Sequence, residues 1–127
     1  MVKINVPSQC GNAPKIVYLK DFISAIVTFD TNYLQDNTTE DIHWSIVGAQ
    51  SFTGQSSVLA ELQKYRSITV SALTITTIIT HGYDGVVEGQ LEFENGKKVS
   101  FCDIVRFKSS RNYSPVKSIR THITTLQ

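Results

Sequence analysis

The residue with the clearest chemical potential is Asp103, in the run Val99-Ser100-Phe101-Cys102-Asp103-Ile104-Val105-Arg106-Phe107. This run alternates with the two-residue period of a strand. Val99, Phe101, Asp103, Val105 and Phe107 share one face, and Ser100, Cys102, Ile104 and Arg106 share the other. A carboxyl among apolar neighbours is costly to bury unless it is paired, hydrogen-bonded or protonated. Desolvation raises its pKa and makes it a candidate acid, base or ligand anchor. The structural alternative is an Asp bonded to a Tyr, His or Arg inside the core. Trp44 lies on the apolar parity of an earlier strand and offers either core packing or a flat pocket wall with one N–H donor. Tyr18, at the edge of a helical apolar arc, could donate a phenolic hydrogen bond inward. His81 ends a strand before Gly82 and would suit proton transfer if it faced Asp103. The catalytic candidates are therefore Asp103 and His81. Trp44, Tyr18, Phe22, Phe101, Asp103 and Thr121 are expected to contact a ligand.

Other chemistries find little support. The histidines His43, His81 and His122 have no metal-site spacing, and Cys10 and Cys102 form no CxxC pair, so neither metal nor cofactor is expected. A Gly-rich phosphate loop and a GxSxG motif are both missing. Twelve Lys and Arg against eleven Asp and Glu give a net charge of +1, which argues against a nucleic-acid binder or a binder of anionic membranes. Lys108, Arg111, Lys117 and Arg120 read as a mild basic cluster on a solvated face. Without a signal-like N-terminus or an apolar span of ~20 residues, the expected location is the cytoplasm, with free thiols.

The elements that position these residues can be read in order. With 127 residues, 41% of them apolar and 18% charged, the chain can fold as one domain around one core. Residues 1–12 read as a polar N-terminal arm and 13–127 as the domain. Asn12 is expected to cap a helix over Lys15 to Phe29, with Ile16, Leu19, Phe22, Ile23, Ile26 and Val27 on one side. Asp30 caps a short second helix. Ile42, Trp44 and Ile46 mark a strand ending at Gly48. Ser51 to Thr53 is too short to assign. Ser56 or Ser57 is expected to cap a third helix with Val58, Leu59, Leu62 and Tyr65 on one face. Then come strands over 69–81, with Leu73, Ile75, Ile79 and His81 on one parity, and over 86–94. An Asn95-Gly96 type I′ turn, the strand 97–107, a polar loop 108–115 and a strand 116–125 with Ile119, Thr121 and Ile123 together complete the chain. Helices followed by antiparallel strands give an α+β fold.

This order resembles the NTF2-like superfamily, and within it the SnoaL-like proteins. The carriers are Tyr18-Leu-Lys-Asp-Phe through Phe29-Asp30, Thr39-Glu-Asp-Ile-His-Trp44-Ser-Ile-Val-Gly48, Phe52-Thr-Gly54, Asp103-Ile-Val-Arg-Phe107 and Val116-Lys-Ser-Ile119-Arg. The resemblance implies a curved antiparallel sheet wrapped around the N-terminal helices, a cone or α+β barrel. It also implies an internal pocket and a homodimer through the outer sheet face. Ketosteroid isomerases of this superfamily pair a late-strand Asp with a Tyr on the first helix, which Asp103 and Tyr18 resemble. Their early-strand carboxylate has no counterpart in Trp44-Ser45-Ile46, which argues against steroid isomerisation. SnoaL-type cyclases lean on a late-strand Asp as acid/base, and the resemblance implies that Asp103 alone could fill that role.

Two functions follow as expectations. The first is a small-molecule-binding protein with a largely apolar pocket. The second is an acid/base enzyme (isomerase, polyketide-cyclase-like or hydrolase) using Asp103. An interaction module is a third possibility, and a large exposed apolar patch would mark it.

Overall fold

The computed structural model describes residues 2–64 and 69–126. Helix α1 spans Pro14–Thr28 and begins with Pro14, whose missing N–H costs nothing in a first turn. Ala13 holds the capping position and no side chain caps it, so Asn12 stands one residue too early. The expected apolar arc is buried through Leu19, Phe22 and Ile23, and Lys15 and Tyr18 are buried with it. The helix ends at Phe29, in the left-handed conformation with φ 58°. Asp30 then caps α2, Thr31–Asp36, its side chain accepting from the Tyr33 N–H at 3.2 Å as expected.

The strands are β1, Lys3–Asn5; β2, Thr38–Ile46; β3, Gln50–Thr53; β4, Val70–His81; β5, Asp84–Phe93; β6, Lys98–Phe107; and β7, Val116–Leu126. Helix α3, Gln55–Lys64, lies between β3 and β4. Among the described residues they form one seven-stranded sheet in the order β1-β4-β5-β6-β7-β2-β3. The sheet is open, with β1 and β3 at its ends, and it is not a closed barrel. It is also mixed, because β1 pairs parallel with β4 and β2 parallel with β7. The sequence order alone hides both pairings. Residues 1–12, expected as an arm outside the core, contribute the edge strand β1, and Cys10 is buried.

Several local expectations change at irregular backbone. Gly54 precedes α3 and accepts the Val58 N–H at 3.0 Å, so neither Ser56 nor Ser57 is the cap. Val58 is buried on the inner face of α3, and Tyr65 lies outside the described residues. The Asn95-Gly96 turn is present, but only Gly96 has positive φ, and the Phe93 N–H bonds to the Lys97 carbonyl. That is a three-residue connection rather than a type I′ turn. In β4 the register shifts between Ile75 and Thr77. An extra residue inverts the parity beyond it. Leu73, Ile75 and Ile78 point inward, whereas Ile79 is 59% exposed and His81 is exposed with it.

The curvature has identifiable causes. The β4 bulge lies beside Gly89 of β5, which pairs with Ile75 and with Phe101. A Cβ at Gly89 would strike the Thr74 carbonyl oxygen and sit 3.1 Å from both Ile75 Cα and the Phe101 ring. Gly85, on the same strand, leaves room for Leu19 of α1. Bulges and glycines are the means by which long sheets bend. α1 packs on β4 and α3 on β2, leaving Phe22, Leu19, Ile42, Leu73, Ile75 and Phe107 fully buried between helices and sheet.

Gly89→Ala is therefore expected to destabilise the fold by about 2–3 kcal/mol through overpacking, read by urea denaturation. Gly85→Ala should be milder, because its nearest contact is the end of the Leu19 side chain. Equal, negligible costs would contradict this account of the bend.

Candidate functional site

Asp103 sits on the inner face of β6 and is 4% exposed. Its same-face neighbours along the strand, Phe101 and Val105, are buried, as is Val87 directly opposite on β5. On the other side it pairs in register with Thr121 of β7. The Thr121 hydroxyl donates to Asp103 Oδ1 at 2.6 Å and accepts from the indole Nε1–H of Trp44 at 2.9 Å. An indole N–H only donates, so the hydroxyl proton is directed to the carboxyl. The short O–H···O distance suits a charge-assisted bond. Among the described residues, no donor reaches the second carboxyl oxygen.

Burial pushes the Asp103 pKa from 3.8 up to about 6, and the Thr121 hydrogen bond pulls against that rise by favouring the charged form. The difference corresponds to roughly 3 kcal/mol at neutral pH. The folded state therefore binds more protons than the unfolded chain between about pH 4 and 6. Stability from this group is fully present below 3.8 and is lost as pH rises through about 6.

Trp44, Thr121, Asp103 and Phe101 thus meet on one stretch of the concave face. Phe22 is wholly buried in the core beneath α1. Tyr18 is buried too, but its hydroxyl donates to Asn37 Oδ1 at 2.9 Å, and its ring packs edge-on against Phe107 at 5.9 Å. Burial, then Tyr33, raises its pKa. The Tyr–Asp pair of the isomerases is therefore not assembled. His81 is corrected as well: past the β4 bulge it pairs with Asp84, on the outer face where Asp84 meets Arg106 at 3.0 Å. The bulge puts the sheet between His81 and Asp103. Among the described residues, no group of three or more His, Cys, Asp or Glu could hold a metal ion, and no helix is long and apolar enough to cross a membrane.

Solved structures share this architecture, three of them as follows. An NTF2-like protein of unknown function from Cytophaga hutchinsonii is 24% identical, covering 80% of this chain and 92% of its own, with a TM-score of 0.62. A Shewanella denitrificans protein described as a SnoaL-like polyketide cyclase is 14% identical over 89% of this chain and 92% of its own, with a TM-score of 0.74. An LEH-like epoxide hydrolase of M. tuberculosis is 14% identical over 87% and 79%, with a TM-score of 0.72. The chain has the NTF2-like fold. No protein-family model matches it, and no curated protein does. At these identities the likeness extends to the NTF2-like backbone, and function must be argued from side chains.

Two polar residues on the inner side escaped the sequence reading. Lys15 is 7% exposed, with Nζ donating to the carbonyls of Gly82 at 2.7 Å and Ser110 at 3.1 Å, 4.9 Å over the Phe107 ring. Its spacing from Leu19 and Phe22 places it on the buried face, a signal overlooked because lysine is usually solvated. Asn37, partner of Tyr18, lies in a segment that reads only as a helix breaker.

Asp103→Asn removes the buried charge and keeps the shape. Relative to wild type, its stability is expected to improve by roughly 2–3 kcal/mol between pH 4 and pH 8, read by denaturation at each pH. A constant difference would show that Asp103 ionises freely in the folded state. Thr121→Val strands the indole N–H and removes the carboxyl's donor. It should cost about 2–4 kcal/mol at pH 8 and less at pH 4.

Proposed function

We propose that this chain binds a small molecule on the concave face of the sheet, with an apolar body against Phe101 and Trp44 and one hydrogen-bonding head on Asp103. The observation that carries this reading is the unequal state of the two carboxyl oxygens. One is held by Thr121, while the other has no donor among the described residues. A ligand hydroxyl or N–H would supply the missing bond and offset part of the burial cost. The fixed Trp44–Thr121 pair would keep the carboxyl aimed.

Binding is favoured over catalysis because acid/base chemistry uses at least two positioned groups. Tyr18 is committed to Asn37, and His81 lies on the outer face. One observation keeps an enzyme as the second reading: a carboxyl with a pKa near 6 can both give and take a proton near neutrality. Two of the structural neighbours are named as a cyclase and a hydrolase. The reading extends to a homodimer through the outer face carrying Glu88, Gln90, Cys102, Ile104 and Arg106, and to a reducing cytoplasm where Cys10 and Cys102 remain free thiols.

Trp44 is the one tryptophan, so its fluorescence reports on this face. Titration with 1-naphthylamine or 1-naphthol, read by NMR shifts of the Phe101, Asp103 and Thr121 amides and by the indole emission, is expected to saturate. Asp103→Asn at pH 8 should weaken binding by about 10–100-fold. Saturation unchanged in the variant, or shifts scattered over the outer face, would defeat the binding reading. Sedimentation showing a monomer at micromolar concentration would defeat the dimer.

A further inference from the structure

The sequence after β6 reads as a polar loop whose Lys108 and Arg111 belong to a mild basic cluster on a solvated face. Its structure is more specific. Lys108, Ser109, Arg111, Asn112, Tyr113, Ser114 and Pro115 line a cleft of about 640 Å³. Lys108 is the fifth residue after Asp103, so the cleft begins roughly 16 Å along the strand from that carboxyl, at 3.3 Å per residue. It is a separate place on the molecule.

The loop is held in one shape by its own hydrogen bonds. The Ser109 N–H donates to Ser114 Oγ at 2.7 Å, the Arg111 N–H to Ser109 Oγ at 3.3 Å, and the Lys108 N–H to the Pro115 carbonyl at 2.9 Å. Lys15 grips the Ser110 carbonyl from beneath. A preformed loop binds at a smaller ordering cost than a floppy one.

Its chemistry is that of an anion site. After Asp103 the sequence contains Arg106, Lys108, Arg111, Lys117 and Arg120 and no acidic residue. Arg106 is engaged by Asp84. Among the described residues, Lys108 and Arg111 have no carboxylate within ion-pair distance. Ser114 is 4% exposed and lines the cleft; its oxygen accepts from Ser109, and its own proton has no acceptor among the described residues. A buried hydroxyl with a proton to give, in a cleft that a lysine and an arginine also line, matches a tetrahedral oxyanion with several acceptor oxygens. Tyr113 adds a second element. One side of its ring is stacked near Tyr18, with centroids 6.3 Å apart and planes 29° apart, yet the residue is 76% exposed. Its free face offers a platform for a planar ring.

We infer that the 108–115 loop is a binding site for a phosphomonoester carried on a planar ring, with Lys108, Arg111 and Ser114 on the phosphate and Tyr113 on the ring. The probes are phenyl phosphate, inorganic phosphate and phenol, titrated into ¹⁵N-labelled protein at low salt. Phenyl phosphate is expected to give saturable shifts in the amides of 108–115 at millimolar concentration or below. Inorganic phosphate should bind the same amides more weakly, and phenol should leave them unmoved. Arg111→Gln is expected to weaken phenyl phosphate about five- to tenfold, and Tyr113→Ala should abolish its advantage over inorganic phosphate. These exposed positions can change without disturbing the core. Asp103→Asn should leave the titration unchanged, which separates this site from the concave face. No saturable shift in the loop, phenol binding as tightly as phenyl phosphate, or an Arg111→Gln variant with undiminished affinity would overturn the inference.

Discussion

A single hydroxyl joins the strands on which the concave face depends. Thr121 of β7 takes the indole proton of Trp44 from β2 and gives its own to Asp103 of β6. The direction is forced at the tryptophan end, since an indole nitrogen has no acceptor role. A buried carboxyl with one firm hydrogen bond is neither a comfortable structural ion pair nor a group at ease with its charge. This half-satisfied state separates Asp103 from the exposed Asp84, whose bond to Arg106 holds its pKa below the usual range.

The bend of the sheet makes that state possible. Gly89 lets Phe101 and the β4 backbone close in beside the bulge, and Gly85 admits Leu19 of α1. The inner faces of β5, β6 and β7 then turn toward the helices, and α1 and α3 cover the sheet from above. The same bulge that helps bend β4 carries Ile79 and His81 to the outer surface. Curvature and the removal of a second titratable group from the concave face therefore share one cause.

The legible parts of this arrangement were those governed by uninterrupted period. β6 alternates without a break over Val99 to Phe107, and the inward aim of Asp103 followed from counting by two. Asp30 capped α2 as its residue type suggests. What failed were features set by long-range pairing. The short edge strands β1 and β3 carry too few residues to declare themselves, and the parallel β2–β7 contact depends on partners 70 or more residues away. One extra residue near Thr76 inverted the parity of His81, a shift that no local composition announces. Tyr18, which reads at the edge of the apolar arc, is buried, but its partner Asn37 comes from a neighbouring element, so its commitment away from Asp103 required coordinates. Lys15 and Ser114, which residue type alone does not mark as buried, are held by backbone groups.

The account stands on the electrostatic state of one side chain. The most direct measurement is the ¹³C chemical shift of the Asp103 carboxyl followed by NMR from pH 3 to pH 9, assigned by its disappearance in Asp103→Asn. The expected result is a single titration centred near pH 6, two units above an ordinary aspartate. A midpoint at or below pH 4 would mean that the carboxyl is well solvated or fully paired, and the concave-face proposal would then lose its anchor.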